Sequence, residues 1–281
     1  MSGSLVRLTR SSPRIARVTY DNPPVNLVVG QAVRELAELV ETLLADTELH
    51  VVVFDSAVPD YFYNHFDLAH LDEFPATDPH TGTNPWTELV VALTNAPFIT
   101  IGLIRGRARG GGNELALALD LRYASIENAR FGQPEVATAV VPGGGGTERL
   151  PRLVGRDRAL EAILTSADHD AATAERWGWI TRALPDADLD AHVDQLAELL
   201  AAYDLPTLTQ AKAMVNRATL PPEHDLIDAY AEFLATSKSP AFRARMAAPS
   251  PPAEAMARIE HDLGAVLAQA ALTRLRSNEA Q

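Results

Sequence analysis

The chain has 281 residues, no cysteine and a formal net charge of −13, from 24 basic and 37 acidic side chains. The lack of cysteine excludes disulfides, thiolate metal ligands and cysteine nucleophiles, and the acidic balance opposes binding to nucleic acid or an anionic membrane. With 47% hydrophobic and 22% charged residues, the composition is that of a globular chain able to bury a core in one or two domains.

The N-terminus, MSGSLVRLTR, has no apolar run of signal-peptide type. The longest apolar run, Leu89 to Ile104, carries Asn95 and Pro97 and falls short of the ~18 residues a spanning helix needs. A soluble, cytoplasmic protein is expected. Alternation predicts strands over Leu5–Thr9 and Ile15–Tyr20, joined as a hairpin through Ser11-Ser12-Pro13 and ended by Asp21-Asn22-Pro23-Pro24. Val33, Leu36, Leu39, Val40, Leu43 and Leu44 recur at helical spacing, which predicts a helix over Gln31–Asp46. Short buried strands are predicted at Val51–Phe54, Phe98–Ile104 and Leu121–Ala124, with helices at Thr87–Leu93 and from the glycine run through Leu115–Leu119. Tyr61–Leu68 reads as a strand end turning into a helix. The polar, proline-rich segment Asp72–Trp86 reads as a loop over a site. From Leu189 onward the pattern is helical: Leu189–Tyr203, Thr207–Ala218, Asp225–Ser237 and Pro252–Leu275, separated by Pro206, Pro221-Pro222, Pro240 and Pro249–Pro252. The alternation of short strands and helices before that point fits stacked ββα units.

Three segments carry candidate chemistry. In Arg109-Gly110-Gly111-Gly112-Asn113-Glu114, glycines precede an apolar helix, so the backbone can approach a ligand and the first N–H groups, at the positive helix end, can hold an oxyanion. The same residues also suit a plain strand-to-helix turn with a favourable first-turn acid. In Phe131-Gly132-Gln133-Pro134-Glu135, the glutamate lies among apolar residues, where burial would raise its pKa and suit proton transfer. The third, Tyr61–Leu68, offers a further backbone donor. The run Gly143–Gly146 lacks the Gly-Lys-Ser/Thr of a phosphate loop. No histidine pair has metal-ligand spacing, and no Gly-x-Ser-x-Gly elbow is present. Trp177 and Trp179 read as core packing. Arg105, Arg107 and Arg109 read as a cationic rim for a small anionic ligand, solvated surface charge or a short RNA-binding fragment.

Taken in order, these motifs resemble the crotonase superfamily, the enoyl-CoA hydratase/isomerase family. The resemblance begins at Asp21-Asn22-Pro23-Pro24-Val25-Asn26. It runs through Gly110-Gly111-Gly112-Asn113-Glu114-Leu115-Ala116, Phe131-Gly132-Gln133-Pro134-Glu135 and Pro142–Thr147 to Arg149-Leu150-Pro151-Arg152-Leu153-Val154-Gly155. It implies an α/β fold, a crotonase-like spiral of ββα units over residues 1–200, with a helical region at 201–281 that serves assembly into a homotrimer or a dimer of trimers. It implies an acyl-CoA substrate, no metal and no separate cofactor, since coenzyme A is part of the substrate. It places Glu114 and Glu135 as catalytic acids and the N–H groups of Phe66 and Gly111 as the oxyanion hole. It places Asn64, His65, Asp67, Leu68, Gly110, Gln133, Pro134 and Gly143 around the substrate. The three arginines are expected at the anionic end of CoA. The expected reaction is hydration of a 2-enoyl-CoA; isomerase, hydrolase, decarboxylase and a catalytically silent CoA-binding protein are the alternatives. The sequence departs from the family pattern at four places: Asn64-His65 replaces a small Ala-Gly pair, Phe66 is bulky, and Ala139 and Ser166 stand where glycines are customary.

Overall fold

The computed structural model describes residues 3–247 and 252–279. Strands β1 (Val6–Ser12) and β2 (Ile15–Tyr20) form the antiparallel hairpin, with Val6 opposite Tyr20. The sheet then grows by parallel addition of β3 (Val51–Ser56), β4 (Ile99–Ile104), β6 (Leu121–Ser125) and β9 (Arg182–Leu184), in the order β1-β2-β3-β4-β6-β9. Parallel strands need crossover connections, and these cover both faces. On one face Ala16, Val18, Val52 and Phe54 pack with Val33, Leu36, Val40 and Leu43 of α1 (Gly30–Leu44). On the other, Val51, Val53, Ile99 and Ile101 pack under Leu189, Val193 and Ala197 of α7 (Asp186–Ala202). Burial on both faces is why β3 and β4 read as continuous apolar runs rather than alternating ones.

A second, three-stranded sheet is made of very short strands: β5 (Arg107–Arg109), β7 (Arg130–Gly132) and β8 (His169–Asp170). The chain leaves β4 through Arg105-Gly106 straight into β5 and then α3 (Gly111–Ala118); it leaves β6 for β7 in the same way. An isolated bridge from Tyr61 to Arg107 continues this side wall into the turn that follows β3. Repetition of strand, side strand and helix produces the spiral of stacked units. The short strands were not legible in sequence, because three residues give no periodicity.

Helix α2 (Pro85–Asn95) starts two residues before its predicted first residue, with Pro85 in the first turn and the Asn84 side chain accepting from the Trp86 and Thr87 N–H groups. Helices α4 (Gly146–Val154), α5 (Arg156–Thr165) and α6 (Ala171–Trp177) follow β7 and were not predicted. The C-terminal region is helical: α8 (Leu205–Thr219), α9 (Glu223–Thr236), α10 (Pro240–Met246), α11 (Ala253–His261) and α12 (Leu263–Glu279). The single helix predicted over Pro252–Leu275 is two, broken at Asp262, whose φ of −118° and ψ of 35° are not helical. The predicted break at Pro249–Pro252 lies, as far as Pro251, outside the described residues.

Two departures from the family pattern have a backbone consequence. Ala139 (φ 70°) and Ser166 (φ 54°) keep the left-handed conformation that glycine would adopt without strain. Ser166 has compensation, since its Oγ accepts from the Ala137 N–H at 3.1 Å. Ala139 has no side-chain partner, and a left-handed L-residue costs about 1–2 kcal/mol. Ala139→Gly is expected to stabilise the fold by about 1 kcal/mol, measured by denaturant unfolding.

Candidate active site

The N-terminus of α3 lies wedged between two backbone segments. Gly110 N–H donates to the Gly132 carbonyl at 3.0 Å, and Gly112 N–H donates to the Asn64 carbonyl at 3.0 Å. Gly110 has φ 46°, and a Cβ there would sit 2.5 Å from Glu135 Oε1 and 3.0 Å from His65 Cβ. Glycine is thus required both by the turn and by the approach of the carboxyl. The N–H of Gly111 opens α3 and has no intrahelical acceptor. Across from it, Val28 and Phe66 form a parallel bridge, in which Val28 N–H donates to the His65 carbonyl and Asp67 N–H to the Val28 carbonyl, each at 2.9 Å. Alternation of the extended backbone turns the Phe66 N–H away from Val28. Phe66 and Gly111 line the same cavity, of about 230 Å³.

Glu114 and Glu135 line it too, and both are buried. Glu114 Oε1 accepts from the Gly144 N–H at 2.8 Å and from the Gly146 N–H at 3.0 Å. Burial pushes its pKa up to about 7 against the lowering effect of those two donors. Glu135 comes from a 3-10 turn, Glu135–Thr138, and its Oε2 is buried with no partner among the described residues. Burial, reinforced by the charge of Glu114, raises its pKa well above the ordinary range. The two acids therefore differ in support, and the pair holds its last proton on Glu135 while the charge rests on Glu114.

The cavity also takes His65, Asp67, Leu68, Pro134 and Gly143 from the expected set. Three expected substrate contacts lie behind its wall. Asn64 is fully buried, its Nδ2 donating to the Val25 carbonyl and to Glu260. Gln133 is fully buried and accepts from Asn113 Nδ2 at 2.7 Å, and Gly110 serves the turn. The Asp67 carboxylate is occupied by the Ala69 N–H and by His70. His65 does not adopt a positive φ, so that turn needs no glycine. The Phe66 ring packs over Gly111 and against Phe74 and Trp86, at centroid distances of 4.8 and 4.9 Å. Trp179 is core, as expected, and its Nε1 also donates to Asn113 at 2.9 Å.

Sequence reasoning missed Phe233, Met246, Met256, Glu260 and Leu263, which bring α9 to α12 onto the cavity. Region 201–281 was assigned to assembly, yet it also walls the site. Apolar residues on a C-terminal helix do not reveal which surface they cover.

The arginine rim is corrected by the structure. Arg105 pairs with Asp186 and Asp190 on α7. Arg107 donates to the His261 and Asp60 carbonyls. Arg109 is 1% exposed and grips Asp168 through two bonds of 2.7 Å. Arg107 and Arg109 are buried and use these donors inside the fold, and Arg105 is engaged by two aspartates. Arg109→Ala removes the guanidinium from the Asp168 carboxylate and two donors from the end of α11, and is expected to cost about 3–5 kcal/mol. Arg105→Ala, at a half-exposed pair, is expected to stay within about 0.5 kcal/mol and to leave CoA affinity unchanged. Denaturant unfolding and calorimetric titration with CoA measure both.

Two backbone segments and a pair of buried acids thus meet on one cavity, set in a spiral of ββα turns. Comparison with known proteins identifies the family. Residues 10–241 match the family model described as Enoyl-CoA hydratase/isomerase, and the chain belongs to that family. It is 37% identical over 213 residues to the Arabidopsis thaliana protein named "Probable enoyl-CoA hydratase 2, mitochondrial", covering 75% of this chain and 70% of that one. A crystal structure of an enoyl-CoA hydratase-type protein from Streptomyces avermitilis is similar over 95% of this chain and 98% of its own. Its TM-score is 0.85 and its identity 36%. An enoyl-CoA hydratase from Mycobacterium avium subsp. paratuberculosis K-10 gives a TM-score of 0.79 at 25% identity, covering 88% of this chain and all of that one. The fold is thus the crotonase spiral with a helical C-terminal region, and the function is hydratase-like. No helix among the described residues is long and apolar enough to cross a membrane.

Proposed function

We propose that the protein adds water across the double bond of a 2-enoyl-CoA. The observation that carries this reading is the unequal support of two buried carboxyls on one cavity. Glu114 keeps Oε1 locked by two backbone N–H groups, which leaves Oε2 to take a proton from water. Glu135, with an unpartnered buried oxygen, is the acid that supplies a proton. Water adds to the β-carbon as Glu114 accepts its proton, and the electron pair of the double bond moves onto the thioester oxygen. The N–H groups of Phe66 and Gly111 meet that charge, the second with the field of α3 behind it. Glu135 then protonates the α-carbon, giving a 3-hydroxyacyl-CoA. Proton exchange between the acids resets the pair. Burial and fixed donors cost no reorganisation at the moment of reaction, and a fixed water avoids the entropy of a bimolecular encounter.

Glu114→Gln and Glu135→Gln are each expected to lower kcat by about 10²–10⁴ while leaving acyl-CoA binding in place, measured by steady-state hydration of crotonyl-CoA and longer enoyl-CoAs. Wild-type rates in either variant would refute the two-carboxylate assignment. The pH profile follows from the same asymmetry. kcat/KM rises as Glu114 loses its proton near pH 7 and falls again at higher pH as Glu135 ionises. Because folding raises the Glu135 pKa, the native state loses stability as pH climbs above the unfolded carboxyl's range. Glu135→Gln removes that loss and is expected to be the more stable protein at pH 8 than at pH 4, relative to wild type.

The same reading carries assembly as a homotrimer or a dimer of trimers. It is supported by α8, which buries none of its residues, and by exposed Leu199, Tyr203, Met214 and Val215. Light scattering after size-exclusion chromatography is expected to give a trimer or hexamer mass; a monomer at micromolar concentration would remove this part.

A further inference from the structure

Glu260 belongs to no motif of the active site, yet it is 4% exposed, reaches the cavity from α11 and sits against the segment 64–66 that carries Phe66. Its Oε2 accepts from Asn64 Nδ2 at 3.0 Å and from His65 Nε2 at 3.0 Å. The other His65 nitrogen, Nδ1, donates to the Phe66 carbonyl at 2.8 Å. A carbonyl and an ionised carboxylate both only accept. With Glu260 ionised, both ring nitrogens donate and His65 is an imidazolium. Burial would push its pKa down, but the Glu260 carboxylate raises it, and His65 and Asn64 in turn hold Glu260 low against its own burial. The end of α11 is fixed from outside as well, since Arg109 donates to the Glu260 and His261 carbonyls and Arg107 to the His261 carbonyl.

Residues 64 to 66 are thus tied on two sides. Asn26 accepts the Asn64 N–H on its carbonyl and donates its own side chain to the Phe62 carbonyl; Glu260 binds the Asn64 and His65 side chains from the other. Phe66, which lines the cavity with Gly111, is held between them. A small Ala-Gly pair at 64–65 would offer Glu260 nothing to bind. We infer that Glu260 is a positioning residue: through Asn64 and His65 it fixes the Phe66 peptide that receives the thioester oxygen, so that the C-terminal helices complete the oxyanion hole. This rests on the oxyanion-hole reading given above. Buried ion pairs often add little net stability, and a misplacement of about 1 Å in a donor is enough to cost catalysis.

The test uses the full chain as wild type, Glu260→Gln and Glu260→Ala, with butyryl-CoA carrying a ¹³C thioester carbonyl as an unreactive probe. Infrared difference spectra read carbonyl polarisation, calorimetry reads affinity, and steady-state hydration reads turnover. In wild type the bound carbonyl band is expected below its position in solution. In Glu260→Ala it is expected to return at least halfway, with butyryl-CoA affinity within about threefold. The fall in kcat is expected to be at least about tenfold at near-constant KM, approaching the ~10²–10³ of a lost donor. Glu260→Gln, which keeps an acceptor for Asn64, is expected to lie between, and it decides the matter if the alanine variant does not fold. A wild-type band and kcat in the variants would overturn the positioning role, as would losses that only track weakened binding or a smaller folded fraction. A shifted wild-type band without any hydration counts against the proposed reaction alone. Absence of the shift in wild type, or of butyryl-CoA binding, overturns the oxyanion hole and this role with it.

Discussion

The approach of α3 to the backbone on either side of it is the constraint on which this site depends. Gly112 N–H reaches the Asn64 carbonyl and Gly110 N–H reaches the Gly132 carbonyl, so one helix end touches two successive turns of the spiral. Side chains at 110, 111 or 112 would collide with Glu135, Phe66 and the Tyr63 backbone respectively. Their absence brings a helix N-terminus, a carboxyl and a strand N–H within reach of one small volume. A backbone donor built in this way is held by the fold's own hydrogen bonds, which is the rigidity that stabilising a developing charge requires.

Within that volume the chemistry comes from unequal treatment of like groups. Glu114 and Glu135 are both buried carboxyls, and burial drives both toward the neutral acid. Two backbone N–H groups offset this for Glu114, and for Glu135 the neighbouring charge adds to it. On the proposed reading, this is how one site holds a base and an acid at the same pH without any difference in residue type.

Two of the chain's arginines serve structure. Arg107 and Arg109 bind main-chain carbonyls at the end of α11, and Arg109 also binds Asp168. In doing so they draw the C-terminal helices onto the cavity, where Phe233, Met246, Met256 and Leu263 supply an apolar wall. The departures at Asn64 and His65 join the same contact through Glu260. Two residues that look like lapses from a family pattern therefore share one partner.

The sequence by itself determined the long elements and the family. The helical repeat of α1, the buried runs of β3 and β4 and the helical C-terminal third are local patterns, and periodicity records them. The glycine run, Glu114 and Glu135 were also visible, because close backbone approach and a buried acid restrict residue type. The side strands β5, β7 and β8 were not, since two or three residues carry no period. Nor did the sequence say that Asn64, Gln133, Arg107 and Arg109 point into the protein, or that Glu260 meets His65 across 195 positions. Those are decided by how the turns stack and where the last helices fold back. A pairing between distant residues leaves no mark on the spacing of either partner, and only tertiary packing brings the two charges together.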